Sequence, residues 1–212
     1  MNNQRLFAHS GLAAMLALIA LPSHAVVISG SSPYAFNWNY DSQSAAGILS
    51  GNGTLTVSGF NTHQLTIAVS LNNTSSPASD RLTAFGFGID PNATSVSWLD
   101  VSDAGLINAS LSSIPGLGTI EVCAWGGNNC AGGANGGIYG GASDSFSLLL
   151  NGTWGSSVNI DPIGFKYQTG AGSFEFTTNR PPPTSVPEPA TSALFGIGLL
   201  VAGLVWRRRN AA

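Results

Sequence analysis

Charge is scarce in this 212-residue chain: aspartate, glutamate, lysine and arginine together make up 8% of it, against roughly a quarter in ordinary globular proteins. There is a single lysine, Lys166, and three of the seven basic residues crowd the extreme end. That leaves no basic face for nucleic acid. Histidine is almost as rare. Beyond residue 25 only His63 remains, so an H-E-x-x-H zinc site is impossible. No G-x-S-x-G nucleophile elbow and no repeat of 20 to 50 residues is found. What the chain does have is glycine (27), proline (11) and a 43% apolar content, too much for a charged disordered polymer.

The two ends read as address rather than fold. Residues 1–25 have the layout of a secretory signal peptide: Arg5, an apolar stretch from Gly11 to Leu21, then Ser23-His24-Ala25 before a cut ahead of Val26. As a helix that stretch spans about 16 Å, well short of a hydrocarbon core. At the other end, residues 179–189 (NRPPPTSVPEP) contain five prolines and are expected to form an extended, semi-rigid linker. Residues 190–206 (ATSALFGIGLLVAGLVW) carry no charge; as a helix they reach about 26 Å, near the lower limit for a membrane span. Trp206 suits the membrane interface, and Arg207-Arg208-Arg209 in the 207–212 tail should stay cytoplasmic.

Val186-Pro187-Glu188-Pro189, followed by a short glycine-containing hydrophobic segment and a terminal arginine cluster, resembles the PEP-CTERM sorting tail of Gram-negative bacteria. The resemblance covers about a tenth of the chain. It implies processing by an exosortase, a membrane-embedded transpeptidase-like enzyme, at or near the P-E-P motif. It also implies a transient membrane anchor, followed by placement in the envelope or release into an extracellular polysaccharide matrix. An extended proline segment fits that role, because its backbone groups are not already paired as they would be in a helix.

Between the ends, residues 26–178 read as one all-β domain of β-sandwich or jelly-roll type. Leu55 and Val57, then Leu65, Ile67, Val69 and Leu71, alternate with Thr, Ser and Ala, the period of a half-buried strand. Further strands are expected at 34–40, 82–89, 95–101, 119–124, 145–150, 157–160, 163–168 and 173–177. Turns are expected at Gly51-Asn52-Gly53, Asn72-Asn73, Asp90-Pro91-Asn92, Asn151-Gly152, Asp161-Pro162 and Gly170-Ala171-Gly172. One helical turn is expected within 103–114. Three basic side chains face nine acidic ones over residues 26–180, an acidic surface that repels phosphate polymers.

Cys123 and Cys130, in C-A-W-G-G-N-N-C, are expected to form a structural disulfide in an exported protein. The spacing is not C-x-x-C, and two cysteines with one histidine fall short of a zinc site. Residues 131–141 (AGGANGGIYGG) form either a mobile surface loop or a loop shaping a binding site.

Catalytic signals are weak. His63 reads as a solvent-facing residue at a strand edge. Glu121 and Asp144 are one carboxylate pair that a glycosidase would need close together. Asp100 and Asp103 bracket a loop that offers oxygen ligands but no complete calcium set. Trp125 is the candidate glycan contact, because an indole presents flat apolar area to a sugar ring, while Trp38, between Phe36 and Tyr40, reads as core. The expectation is therefore an exported envelope or matrix protein with no enzymatic activity, cofactor or metal, and with a structural or interaction role. A carbohydrate-binding module is the alternative and a secreted hydrolase the third reading.

Overall fold

Alternate apolar side chains on neighbouring strands can leave water only if a second layer covers them, and here that layer is another sheet. A computed structural model of the chain describes residues 26–28, 33–101, 104–132 and 135–178. The expected signal peptide, proline linker, membrane helix and basic tail lie outside the described residues. Twelve strands run in order: β1 (Val26–Ile28), β2 (Tyr34–Asp41), β3 (Ile48–Phe60), β4 (Gln64–Asn73), β5 (Arg81–Asp90), β6 (Ala93–Trp98), β7 (Asn108–Leu111), β8 (Val122–Trp125), β9 (Ile138–Tyr139), β10 (Ser143–Gly152), β11 (Val158–Thr169) and β12 (Gly172–Thr177). No helix occurs among the described residues.

Two antiparallel sheets result. Sheet A runs β1-β11-β5-β8-β7, with β12 also on β11 and β9 also on β5; sheet B runs β2-β3-β4-β10-β6. β5 pairs β11 from Asn159 to Gln168. The opposite edge of β11 is therefore shared, by β1 at Val158–Ile160 and by β12 at Gly164–Thr169.

Aromatic rings join the sheets. Phe36, Trp38 and Tyr40 of β2 point inward at the strand period. Trp38 stacks on Phe165 at 4.3 Å, Tyr40 on Phe176 at 4.4 Å, and Phe36 on Phe85 at 5.9 Å. Trp38 is thus a core residue, as its alternation indicates. Its indole N–H donates to the Tyr167 hydroxyl (2.9 Å), which donates in turn to Asn73 Oδ1 (2.9 Å). Asn73 Nδ2 closes the network on the carbonyls of Asp80 and Ile138. A buried polar chain of this kind is tolerated because its members satisfy one another. Burial pushes the Tyr167 phenol up to about 12. Burial also raises the Asp80 carboxyl, whose Oδ2 has no partner.

Five expectations about local structure are corrected. Asn72-Asn73 is not a turn but the end of β4, paired with Asn52 and Gly51 of β3 and, at Asn72, with Ser143 of β10. Gly51-Asn52-Gly53 is not a turn but the middle of β3. These glycines lie opposite Trp38 and Phe36, where a Cβ at Gly51 would overlap the Trp38 ring and one at Gly53 would meet Phe36 Cζ at 2.6 Å. They are glycine to make room for aromatics. Asp161-Pro162 lies within β11, at a register shift between Ile160 and Ile163, between the stretches taken by β1 and β12. Proline, lacking an N–H, is accommodated at such a bulge. Asn151-Gly152 ends β10 at another register shift. Finally, no helical turn forms in the described part of 103–114; Asn108–Leu111 pairs with β8 as an edge strand.

Candidate functional site

The outer sides of the two sheets differ, and each holds candidate residues. On sheet A the chain folds back over its own strands. The stretch between β7 and β8 places Ile114 and Ile120 on the outer face, with Leu117 beside them, against Ala84, Cys123 and Cys130. Ile120 enters a notch left by missing side chains: a Cβ at Gly86 would come within 2.6 Å of it and one at Gly164 within 2.9 Å. The Cys123–Cys130 disulfide, Cα–Cα 6.2 Å, ties the β8 end to the following loop. The glycine run after it is fastened rather than wholly free. Gly132 N donates to Asn129 O and Gly137 N to Gly105 O. The backbone at Gly136 lies so close to Gly126 that a Cβ there would overlap it. Ile138–Tyr139 forms β9 on β5.

Trp125 sits at the end of β8, opposite Ala84 and Asn108. It is half-buried and packs on the small cluster around the disulfide, so part of its ring area is already used. Lys166, 5% exposed, also lies on this side. It bonds Ser173 Oγ (2.9 Å) and pairs with Glu175, its cross-strand neighbour on β12. The sole lysine is thereby neutralised locally, which a buried charge requires.

The carboxylate pair is not assembled as a pair. Glu121 Oε2 accepts from Ile89 N of sheet A (3.2 Å), whereas Asp144, on β10 of sheet B, accepts from Leu106 N through Oδ2 (2.8 Å). Each is engaged by backbone of a different element. Asp100 caps its own neighbour, accepting from Val101 N (2.7 Å); Asp103 lies outside the described residues. His63 is exposed in the β3–β4 turn, its N–H held by Asn61 Oδ1 (2.8 Å). No group of three or more histidine, cysteine, aspartate or glutamate residues converges among the described residues.

Among the described residues, nothing covers the middle strands of sheet B. Register sets its outward residues in rows: Asn37, Asn52, Asn72 and Ser143; then Ala35, Thr54, Ser70 and Ser145; then Thr56, Ala68 and Ser147. Cross-strand contacts stitch some of them, Ser143 Oγ to Asn72 Oδ1 (3.2 Å) and Ser145 Oγ to Ser70 Oγ (3.2 Å). At the β6 side the chain leaves the sheet after Trp98 and raises Leu99, 52% exposed, with Asp100 beside it. A cleft of about 280 Å³ opens there, floored by Thr54, Thr56, Ser70, Ser145 and Ser147 and walled by Leu99 and Asp100. The alternation of Thr and Ser with apolar residues in β3 and β4 is legible in the sequence, but the cleft is not, since only register and the position of Leu99 bring its parts together.

The candidate sorting and membrane-stop residues, Val186, Pro187, Glu188, Pro189, Trp206, Arg207, Arg208 and Arg209, lie outside the described residues. Thr178, the last described residue, donates its N–H to Ile163 O (2.9 Å). Neither a curated protein nor a solved structure matches the chain. A family model does, over residues 185–209. The motif implies export, transient anchoring in the membrane and processing by exosortase. The chain carries the PEP-CTERM protein-sorting motif, which supports a protein sorted by exosortase to the cell surface.

Proposed function

We propose that the β-sandwich is the cargo of this tail, a non-catalytic envelope or extracellular-matrix protein with a structural or interaction role. The observation that carries the reading is the PEP-CTERM motif at residues 185–209, set immediately behind a disulfide-containing sandwich. A disulfide suits an oxidising compartment, and the scarcity of charge suits a neutral, hydroxyl-rich surrounding. The engagement of Glu121 by the Ile89 amide and of Asp144 by the Leu106 amide supports a non-catalytic role over a glycosidase.

Intact mass of the protein recovered from cells and from medium tests this. The expected mature species begins at Val26, lacks Trp206 and the terminal arginines, and is two hydrogen atoms lighter than its dithiol form. Full-length chain in the cytosol with free thiols would overturn it. A second reading, a carbohydrate-binding module, is favoured by the charge-free rows on sheet B.

A further inference from the structure

We infer that the cleft between Leu99-Asp100 and the hydroxyl rows of β3, β4 and β10 is a binding site for a neutral polysaccharide. This inference rests on the carbohydrate-binding reading and gives it a location. Three features of the cleft select the ligand.

The first is charge. The outward positions of the three central strands are Ser50, Asn52, Thr54, Thr56 and Ser58 on β3; Gln64, Thr66, Ala68, Ser70 and Asn72 on β4; and Ser143, Ser145, Ser147, Leu149 and Asn151 on β10. None is ionisable. Asp100 is the single charge bordering the floor. A phosphate-bearing polymer requires cations that this face lacks, and an acidic polysaccharide would meet Asp100 on an already acidic domain.

The second is the absence of an anchor. Protein interfaces concentrate their energy in aromatic or arginine side chains seated in pockets. No arginine borders this cleft, and its one aromatic residue, Phe146, is 3% exposed with its ring packed inward against Phe85 and Trp98. What the cleft offers are hydroxyls that both donate and accept, repeated about 4.8 Å apart across strands and about 7 Å apart along them. A chain of sugar hydroxyls has the same dual character and can exchange partners with such rows along its length.

The third is the mixed wall. A sugar ring has hydroxyls around its rim and C–H bonds on its faces. Leu99 offers exposed apolar area for those C–H bonds, and the Asp100 carboxylate accepts from adjacent hydroxyls in charge-assisted bonds. At about 280 Å³ the cleft lies near the lower bound of small-molecule pockets, which suits one ring of a longer chain lying open across the sheet.

The test uses the full chain, purified in a detergent without a sugar headgroup. It is titrated calorimetrically with neutral hexasaccharides of glucose, mannose, xylose and galactose, and with hexagalacturonate as the acidic comparison. At least one neutral hexasaccharide should bind. Asp100→Asn and Leu99→Ala should each weaken it about tenfold, consistent with loss of one charge-assisted bond or one apolar contact. Ser70→Arg, which fills the floor, should remove measurable binding, and Trp125→Ala should leave the affinity within about twofold. All four side chains are at least partly solvent-exposed, and an unchanged melting temperature checks each fold. Binding that survives the three cleft substitutions but disappears in Trp125→Ala would overturn this location while leaving the carbohydrate reading intact. No binding of any neutral hexasaccharide would overturn both, and preference for hexagalacturonate would overturn the charge argument.

Discussion

Sheet B turns Thr54, Ser70, Ser145 and their neighbours outward with nothing among the described residues laid over them, whereas sheet A hides its outer side beneath Ile114, Ile120 and a disulfide-tied loop. The difference follows from what each face is made of. Hydroxyls and amides are satisfied by solvent, so a face built from them needs no lid. Gly86 and Gly164 on sheet A leave backbone bare, and that backbone is occupied by Ile120 and Leu117 from the crossing loop, while Gly88 lies against the carbonyls of Thr119 and Asp161. As a result β5 is buried on both sides from Leu82 to Ile89, while β3 and β4 are buried on one. One outer face contributes to stability; the other stays available for contact.

Four experiments bear on this contrast. The strongest blow to the sheet A cover is Ile120→Ala, which empties the glycine notch. Removing a buried isoleucine side chain costs about 2–5 kcal/mol, to be read from urea midpoints. A loss below about 1 kcal/mol would mean the cover is dispensable. Next, alkali addresses the shared interior. Tyr167 is raised from 10 to about 12 by burial, so its contribution is present in full below pH 10, where the phenol is neutral folded or unfolded. The unfolded chain ionises first as pH rises, and roughly 3 kcal/mol is lost by about pH 12. Near-ultraviolet circular dichroism should follow the loss, and Tyr167→Phe should abolish that limb of the profile.

Replacing Cys123 and Cys130 together by serine probes the tie itself. Opening so short a ring lowers stability by about 2 kcal/mol, and the Trp125 emission should shift to the red while the alkaline limb stays in place. At the small end, Ser70→Ala on the bare face should change stability by less than about 0.5 kcal/mol. A large effect there would erase the distinction between the two faces.

How much of this could be read from residues alone depended on whether one face met water. In β4 the apolar Leu65, Ile67, Val69 and Leu71 alternate with polar or small neighbours, so strand, face and inward set were all legible. The aromatic alternation of β2 was legible for the same reason. Gly51 and Gly53 misled because glycine marks a turn locally, while its cause here is Trp38 and Phe36 on the adjoining strand. β7 and β9, of four and two residues, are too short to display a period and exist because β8 and β5 offer them open edges. The tail was plain because its parts are contiguous. The sheet B cleft was not, because Thr54, Ser70, Ser145 and Asp100 acquire their relation only through pairing between distant strands.

β1 and β12 share one edge of β11, with Val26 opposite Ile160 and Thr177 opposite Gly164. These anchor points are four residues apart, on the order of 13 Å along a strand. The first and last described strands thus lie along one edge of the same strand, so the described body is entered and left on one side. The same placement lets the domain be spliced between two stretches of some other polypeptide with little distortion of either.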